Sequence, residues 1–354
     1  MPTSNLLNNT RGQALHAYEL ERPEHLRDWL QNRYKVLQPV HDQTGNGSWE
    51  EVHAGDVVPF DPALRPVMSP KSLFFAEREQ MFTFDGEMFR TTTPKTEHQV
   101  LFGVKACDLM AISYQDHHFR DDPYYQARRK DTLLVGIDCS SPCENGFCST
   151  VDAGPQVHQQ NADLILTPMP SINGHSHGWW LICTSDHGAQ AINGMDLPPA
   201  DSHWRYWRDM SNEHALADFA DDTYIINGIQ RINARAVPDE VWDTLGHQCL
   251  SCSGCSQTCP TCSCYAVRDI PKDGGFVRER FHDSCLMVGF QKEASGANPT
   301  AQAGRRVARY WYHKFSSDFK AANGRIGCVG CGRCDITCPG AIGVHSVMEK
   351  IAHA

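Results

Sequence analysis

The sequence of 354 residues lacks the features that mark several large classes of protein. It contains no apolar run of roughly eighteen residues, which argues against a transmembrane helix. Its first residues, MPTSNLLNNTRGQ, show no basic segment followed by an apolar one and no twin-arginine signal. We therefore expect no secretory signal, a cytoplasmic location and no membrane partner.

The sequence also lacks the common catalytic and nucleotide-binding motifs. There is no G-x-G-x-x-G leading into a helix, no P-loop and no H-E-x-x-H. Nothing pairs a nucleophile with a base, and the eighteen histidines are scattered without a ligand spacing. The net charge of −10 argues mildly against nucleic-acid binding, which depends on clustered Lys and Arg. We predict no catalytic residue on this chain and no nucleic-acid partner.

Cysteine is what the sequence has in excess. There are sixteen, and most of them fall in three packets instead of being spread along the chain. In a reducing cytosol, closely spaced cysteines are more often metal ligands than disulfides. A disulfide scaffold is the alternative, but such scaffolds are usually much shorter chains.

One cysteine motif, C-x2-C-x2-C-x3-C-P, occurs twice. The two copies are Cys249, Cys252, Cys255, Cys259 and Cys328, Cys331, Cys334, Cys338, each followed by proline. This spacing is that of bacterial two-cluster ferredoxins, in which three thiolates wrap one cubane and the fourth reaches the neighbouring one. We expect the proline after the fourth cysteine to start a helix. Zinc is the main competitor, but a zinc knuckle needs only two cysteines.

The two-cluster rule predicts crossed ligand sets for two [4Fe–4S] clusters. The first set is Cys249, Cys252, Cys255 and Cys338, and the second is Cys328, Cys331, Cys334 and Cys259. The motifs are separated by 68 residues (260–327), so each motif closing on its own fourth cysteine stays an alternative. The remaining thiols here are either alternative ligands or buried free thiols: Cys262, Cys264 and Cys285.

The N-terminal part predicts an α/β arrangement. Apolar spacing indicates a helix over about Arg22–Leu37, and Met81–Arg90 indicates a hairpin around Asp85-Gly86. Two apolar strands, Gln99–Val104 and Thr132–Asp138, flank a helical stretch, which predicts a β-α-β unit with a parallel pair. Further strands are predicted at 163–167 and 178–184.

A third set of cysteines follows these strands. Cys107 and Cys139 come just after the two strands, and the loop CSSPCENGFCS returns Cys143 and Cys148 to the same edge. Ligands of open α/β sheets bind at the carboxyl ends of strands. Four cysteines without a histidine suit a third [4Fe–4S] cluster, with zinc possible. Cys183, inside a predicted strand, is expected to be a core residue.

The fold class predicted is α+β. An N-terminal α/β domain with a small mixed sheet (residues 1–240) precedes a helical, ferredoxin-like domain for two [4Fe–4S] clusters (residues 241–354) with a long insertion (260–327). The basic, aromatic run at Arg305–Phe315 is open to three interpretations: a docking helix for a partner, a nucleic-acid surface or a solvated amphipathic helix.

Several further motifs together resemble a known family over roughly residues 70–354. They are G-V-x-x-C-D-L (Gly103–Leu109), D-P-Y-Y-x-x-R-R (Asp122–Arg129), C-P-T-C-x-C-Y (Cys259–Tyr265) and R-E-R-F-H-D-S-C (Arg278–Cys285). With the two ferredoxin motifs, this order resembles the beta subunit, the iron–sulfur component, of cytosolic NAD(P)-linked nickel–iron hydrogenases, or sulfhydrogenases. It is similar also to the iron–sulfur relay component of anaerobic sulfite reductase.

The resemblance implies an electron-transfer subunit without an active site of its own. Its expected partners are a reductase subunit that binds flavin (FAD) and NAD(P), and the small and large hydrogenase subunits, the large one carrying nickel and iron. The same relay in a sulfite reductase complex is an alternative. A structural iron–sulfur module of a nucleic-acid enzyme is a remote one.

Overall fold

The computed structural model describes residues 15–170, 178–321 and 324–354. Within them the chain forms a seven-stranded sheet, a four-stranded sheet and helices, which confirms the α+β class. The strands are β1 (His16–Leu20), β2 (Lys35–His41), β3 (Gly47–Val52), β4 (Arg78–Phe84), β5 (Phe89–Thr91), β6 (Gln99–Lys105), β7 (Thr132–Ile137), β8 (Leu164–Pro168), β9 (Trp179–Cys183), β10 (Tyr265–Lys272) and β11 (Gly275–His282). The helices are α1 (Pro23–Leu30), α2 (Ala106–His118), α3 (Pro123–Lys130), α4 (Asp186–Ala191), α5 (Trp204–Ala217), α6 (Thr223–Asn233), α7 (Asp239–Gln248), α8 (Gly254–Thr258), α9 (Ala303–Phe315), α10 (Arg333–Thr337) and α11 (Val344–His353).

The large sheet is mixed, with the strand order β1-β9-β8-β7-β6-β2-β3. Its strands β2, β6, β7 and β8 run parallel. Strands β3 and β9 pair antiparallel with β2 and β8, and β1 pairs antiparallel with β9. The predicted β-α-β unit is confirmed: β6 and β7 pair in parallel, with Gln99 opposite Thr132, and α2 connects them.

Strand β6 is buried on both faces, as expected for a central parallel strand. Val100 and Phe102 pack on the face covered by α1 and α4, whereas Leu101 packs on the face covered by α2. Gly103 stands in a bulge between the pairs on either side of it, so Val104 packs on the same face as Leu101. A bulge bends the strand locally, here just before α2 begins at Ala106.

The first helix is shorter than the sequence predicts. The predicted span of 22–37 is wrong after Leu30, because β2 begins at Lys35. Proline at the first position starts α1. Leu37, which fits the helical periodicity, pairs instead with Leu101 of β6. Tertiary pairing in the sheet overrides the local apolar spacing here.

The four-stranded sheet is antiparallel in the order β10-β11-β4-β5. The predicted hairpin is confirmed by β4 and β5, which pair around Asp85-Gly86. Strands β10 and β11 lie in the predicted insertion, and β11 pairs with β4. This sheet therefore joins segments from both sides of residue 240, and the domain boundary predicted there stays a prediction.

Helix α2 lies between the large sheet and the C-terminal helices. Leu109 and Ile112 face the sheet, whereas Cys107, Met110 and Ala111 face a core shared with α6, α7, α9 and α11. A helix buried all round is apolar on all its faces. The N-terminal sheet and the cysteine-rich region thus meet across a single helix.

Helix α9, the basic and aromatic run, is part of this core. Val307, Tyr310, Trp311 and Phe315 are buried in it. All three interpretations place the run at the surface, whereas this aromatic face is buried in the protein. In the part of the chain that the structure describes, no helix is long and apolar enough to cross a membrane.

A buried ion-pair network fixes the small sheet to α3. Arg280 of β11 is 1% exposed and donates to Glu79 of β4 and to Asp122. Asp122 also caps α3 by accepting from the backbone N–H of Tyr124 and Tyr125, at 3.0 and 2.9 Å. The D-P-Y-Y and R-E-R-F motifs are therefore partners in one structural network.

Replacing Arg280 with methionine should leave Glu79 and Asp122 without their shared cation. Glu79 keeps its pair with Arg128 at 2.6 Å, whereas Asp122 loses its buried partner. We therefore expect a loss of about 3 kcal/mol of stability, the lower end of the range for a buried ion pair that loses one partner. Arg278→Met is the matched control two residues away, since its pair with Asp269 is exposed, and should cost about 1 kcal/mol or less. Thermal unfolding of both variants measures the difference, and equal effects would contradict the assignment.

Candidate metal centres

The two cysteine motifs adopt the same backbone conformation. Ser251 and Ser253 in the first copy have φ of +52° and +67°, and Gly330 and Gly332 in the second have +64° and +69°. Alternating left-handed residues curl a short segment so that its backbone N–H groups face inward. Serine rarely adopts this conformation, so the agreement between the two copies indicates a shared local requirement.

The curled loops donate backbone hydrogen bonds to sulfur. The N–H of Ser251 lies 3.4 Å from the Cys249 sulfur, and the N–H of Gly330 lies 3.4 Å from the Cys328 sulfur. Such bonds stabilise a thiolate and are one of the ways in which proteins tune iron–sulfur clusters. They occupy equivalent positions in the two motifs.

The fourth cysteine of each motif follows a short helix and does not begin one. Helices α8 and α10 end at Thr258 and Thr337, and Cys259 and Cys338 are extended. The prediction that proline starts a helix here is wrong. Proline instead excludes the helical conformation from the residue before it, which turns each fourth cysteine away from its own loop.

The first predicted set converges on one cavity. Cys249, Cys252 and Cys255 line it together with Cys338 from the other motif, and its remaining walls are largely apolar. Burial raises the pKa of Cys255 to about 12, and Cys338 contributes most among the neighbouring thiols that add to this shift. Several thiolates so close together need a compensating cation, which an iron–sulfur core supplies. The donor set and the cavity fit a [4Fe–4S] cluster.

The second predicted set is also brought together. Burial raises the pKa of Cys328 to about 12, and Cys259 and Cys331 contribute to the shift as neighbouring charges. Burial likewise raises the pKa of Cys334, with Cys331, Cys328 and Cys259 among the contributors. The cysteine that arrives from the first motif therefore lies beside the three of the second.

The three unassigned thiols form two sulfur contacts. Cys262 hydrogen-bonds with Cys259 and shares its buried environment. Cys285 hydrogen-bonds to Cys264 and lowers the pKa of Cys264 to about 6. All sixteen cysteines are free thiols. Cys285 is buried, and Cys262 and Cys264 are partly buried.

The third set gathers at the edge of the large sheet. Cys107 lies in the first turn of α2 and is buried, and Cys139 follows β7. Burial raises the pKa of Cys148, and Cys139, Cys143 and Cys331 add to the shift. The pKa of Cys107 is raised by burial and also by the charges of Asp108, Cys148 and Cys331. Cys107 is thus near Cys148, and both are near the second motif.

The loop carrying Cys148 packs directly on the second motif. The N–H of Phe147 donates to the carbonyl of Gly330 at 2.8 Å. A Cβ atom on Gly330 would lie 2.6 Å from the backbone of Cys148. Arg65 donates to the carbonyls of both Cys331 and Glu144 and so links the same two loops. No single sequence motif indicates this contact.

A buried ion pair makes a second link between these regions. Arg333, inside the second motif, donates to both carboxylate oxygens of Asp108 at 2.6 and 2.7 Å. Both side chains are almost fully buried. Sequence reasoning missed this pair, although charged residues directly beside Cys107 and between Cys331 and Cys334 were a signal. In the described ranges, no three His, Cys, Asp or Glu side chains close around a point as ligands of a single metal ion do.

These features define the C-terminal region as an iron–sulfur module of the two-cluster class, and the 4Fe-4S dicluster domain family matches residues 248–342. A curated relative is Sulfhydrogenase 2 subunit beta from Pyrococcus furiosus. It is 28% identical over 337 residues, which cover 90% of this chain and 94% of the relative. The resemblance to sulfhydrogenase beta subunits that the motifs predict is confirmed by this similarity. No solved structure matches the chain.

Gly330→Ala should disturb the contact between the second motif and the Cys148 loop. We expect the variant to retain fewer irons per chain, because the new Cβ forces the two backbones apart. Gly45→Ala is the matched control: Gly45 also has a positive φ, but its Cβ would meet nothing within 4 Å. Gly45→Ala should therefore cost only the backbone strain, about 1–2 kcal/mol. Iron analysis after anaerobic purification compares the two, and equal iron contents would contradict the prediction.

Proposed function

We propose that this chain is an electron-transfer subunit that relays electrons through [4Fe–4S] clusters within an oxidoreductase complex. The observation that carries this proposal is the cavity lined by three cysteines of one motif and Cys338 of the other. That arrangement matches the crossed ligation of two-cluster ferredoxins. The proposed ligand sets are the crossed ones, and the third set is Cys107, Cys139, Cys143 and Cys148.

The neighbour relations support a linear order of the three centres. Cys255 of the first set is electrostatically coupled to Cys259 of the second. Cys331 of the second set is coupled to Cys107 and Cys148 of the third. The second centre is therefore proposed to lie in the middle. Of the first set, Cys252 is exposed, which makes that end of the series the more accessible to a partner.

When bound, the clusters supply one-electron redox chemistry. The chain's own part is to hold the thiolates, to donate backbone N–H groups to sulfur and to keep water away. At the first set, the N–H of Ser251 donates to the Cys249 sulfur, and Leu286, Val307 and Trp311 form apolar walls. Such an apolar shell limits solvent access and so sets the redox potential of a bound centre.

The relative's name supports a particular complex. The proposed partners are a reductase subunit that binds FAD and NAD(P), and the small and large subunits of a nickel–iron hydrogenase, which carry their own cofactors. The same relay in an anaerobic sulfite reductase complex is the second candidate. The motif resemblance fits the hydrogenase complex and the sulfite reductase complex alike, because in each the substrate would be handled on another chain.

Anaerobic purification with native partners tests this function. We expect about eight to twelve irons per chain, and co-purifying subunits that contain nickel and flavin. Addition of NADPH or NADH should then reduce the clusters, as seen by EPR. Siroheme in place of nickel would identify the sulfite reductase complex. A chain with about one zinc and no iron would contradict the proposal.

Substitution of single ligands tests the crossed arrangement. Cys252 and Cys331 belong to different sets in either arrangement, so Cys252→Ser and Cys331→Ser define the EPR signals of the two clusters. We expect Cys338→Ser to lose the same signal as Cys252→Ser, together with about four irons per chain. Loss of the Cys331→Ser signal would instead show that each motif closes on its own cysteine.

The same experiment has a control and an arm for the third site. Cys183 lies in β9, where its thiol donates to the carbonyl of Ser185, so Cys183→Ser should retain all the iron. Cys107→Ala should remove a third signal and leave the other two. If Cys107→Ala has the same EPR signals and the same iron content as the wild type, the third cluster is removed from the proposal.

A further inference from the structure

Two lysines are buried beside the second candidate centre. Lys314 of α9 and Lys71 are each 5% exposed. Lysine is rarely buried unless it is paired, because taking its charge out of water is costly. The two buried ammonium groups therefore need a compensating negative charge nearby.

Lys314 contacts the ligand loop through one hydroxyl. Its ammonium donates to the Thr261 hydroxyl at 2.8 Å. The same hydroxyl lies 3.2 Å from the sulfur of Cys259 and 2.7 Å from the carbonyl of Gly327, the residue before Cys328. The Thr261 side chain thus links Lys314 to the sulfur of Cys259 and to the backbone directly before Cys328, and both cysteines are proposed ligands.

Lys71 contacts the same segment of the chain through backbone carbonyls. Its ammonium donates to the carbonyl of Ser256 at 2.7 Å and lies 3.4 Å from the carbonyl of Cys262. Burial lowers the pKa of Lys71, whereas the neighbouring Cys262, Cys259 and Cys264 raise it and Lys314 lowers it. The two lysines therefore lie close together beside the same cysteines, and the charge of Lys71 depends on negative charge at these cysteines.

No carboxylate pairs with either lysine in residues 15–170, 178–321 and 324–354. The other groups that act on Lys314 are Cys259, Cys262, Tyr114 and Cys328. The negative charge beside both lysines is that of cysteine sulfur, and Cys259, a proposed ligand of the second cluster, is common to both. By contrast, the buried Arg333 is already paired with Asp108.

We propose that Lys314 and Lys71 are charge-compensating residues that raise the reduction potential of the cluster held by Cys328, Cys331, Cys334 and Cys259. This inference rests on the proposed function. Reduction adds one electron to the cluster and neither forms nor breaks a bond. Nearby fixed positive charge in a buried site stabilises the added negative charge. The lysines therefore favour the reduced state.

An EPR-monitored redox titration of the full chain, with dithionite as the electron donor, tests this. Lys314→Met and Lys71→Met should each shift the midpoint potential of one signal downward, and that signal should be the one lost in Cys331→Ser. Lys314→Arg, which keeps the charge, should titrate close to the wild type. Lys320→Met removes an exposed lysine and should change nothing.

The outcomes separate this inference from the proposed function. Methionine variants with full iron content and unchanged potentials would overturn the inference alone. If Lys314→Met loses the cluster, two other variants provide the test. Lys71→Met and Thr261→Val, which removes the hydroxyl beside Cys259, should each lower the midpoint potential of the same signal. Unchanged potentials in these two variants would also overturn the inference. A wild-type chain without iron would contradict the proposed function itself.

Discussion

The ion pair between Asp108 and Arg333 is the contact on which the arrangement of the centres depends. Asp108 follows Cys107 in the first turn of α2, and Arg333 stands between two cysteines of the second motif. Both are buried, so neither charge can be left alone without a large desolvation penalty. Arg333 also donates to the backbone carbonyl of Pro66, at 2.9 Å. Cys107 of the third proposed set and the second cysteine motif are thereby linked by one buried contact.

Helix α2 carries this constraint into the rest of the fold. One face packs on the large sheet and the other on the C-terminal helices, so the sheet edge and the ferredoxin-like motifs share one supporting element. The Cys148 loop and Arg65 complete the contact from the same side. The proposed centres therefore lie on elements that pack against one another.

Charge balance is the second theme of the structure. Buried thiols such as Cys255 and Cys328 have raised pKa values because burial disfavours their ionised forms. The protein offers backbone N–H groups, cations and a cavity suited to a positively charged core. Lys314 and Lys71 lie beside Cys259 of the second proposed set, and this distinguishes two motifs whose cysteine spacing is the same.

The sequence by itself determined the local chemistry. Ligand spacing within each motif, the hairpin around Asp85-Gly86 and the parallel pair β6 and β7 follow from short-range rules, because each depends on residues close in the chain. Tertiary structure decided the rest. It ended the first helix at Leu30 by sheet pairing and buried the aromatic face of α9. It also joined Asp108 to Arg333 across 225 residues, since contacts between distant segments depend on packing that no local pattern encodes.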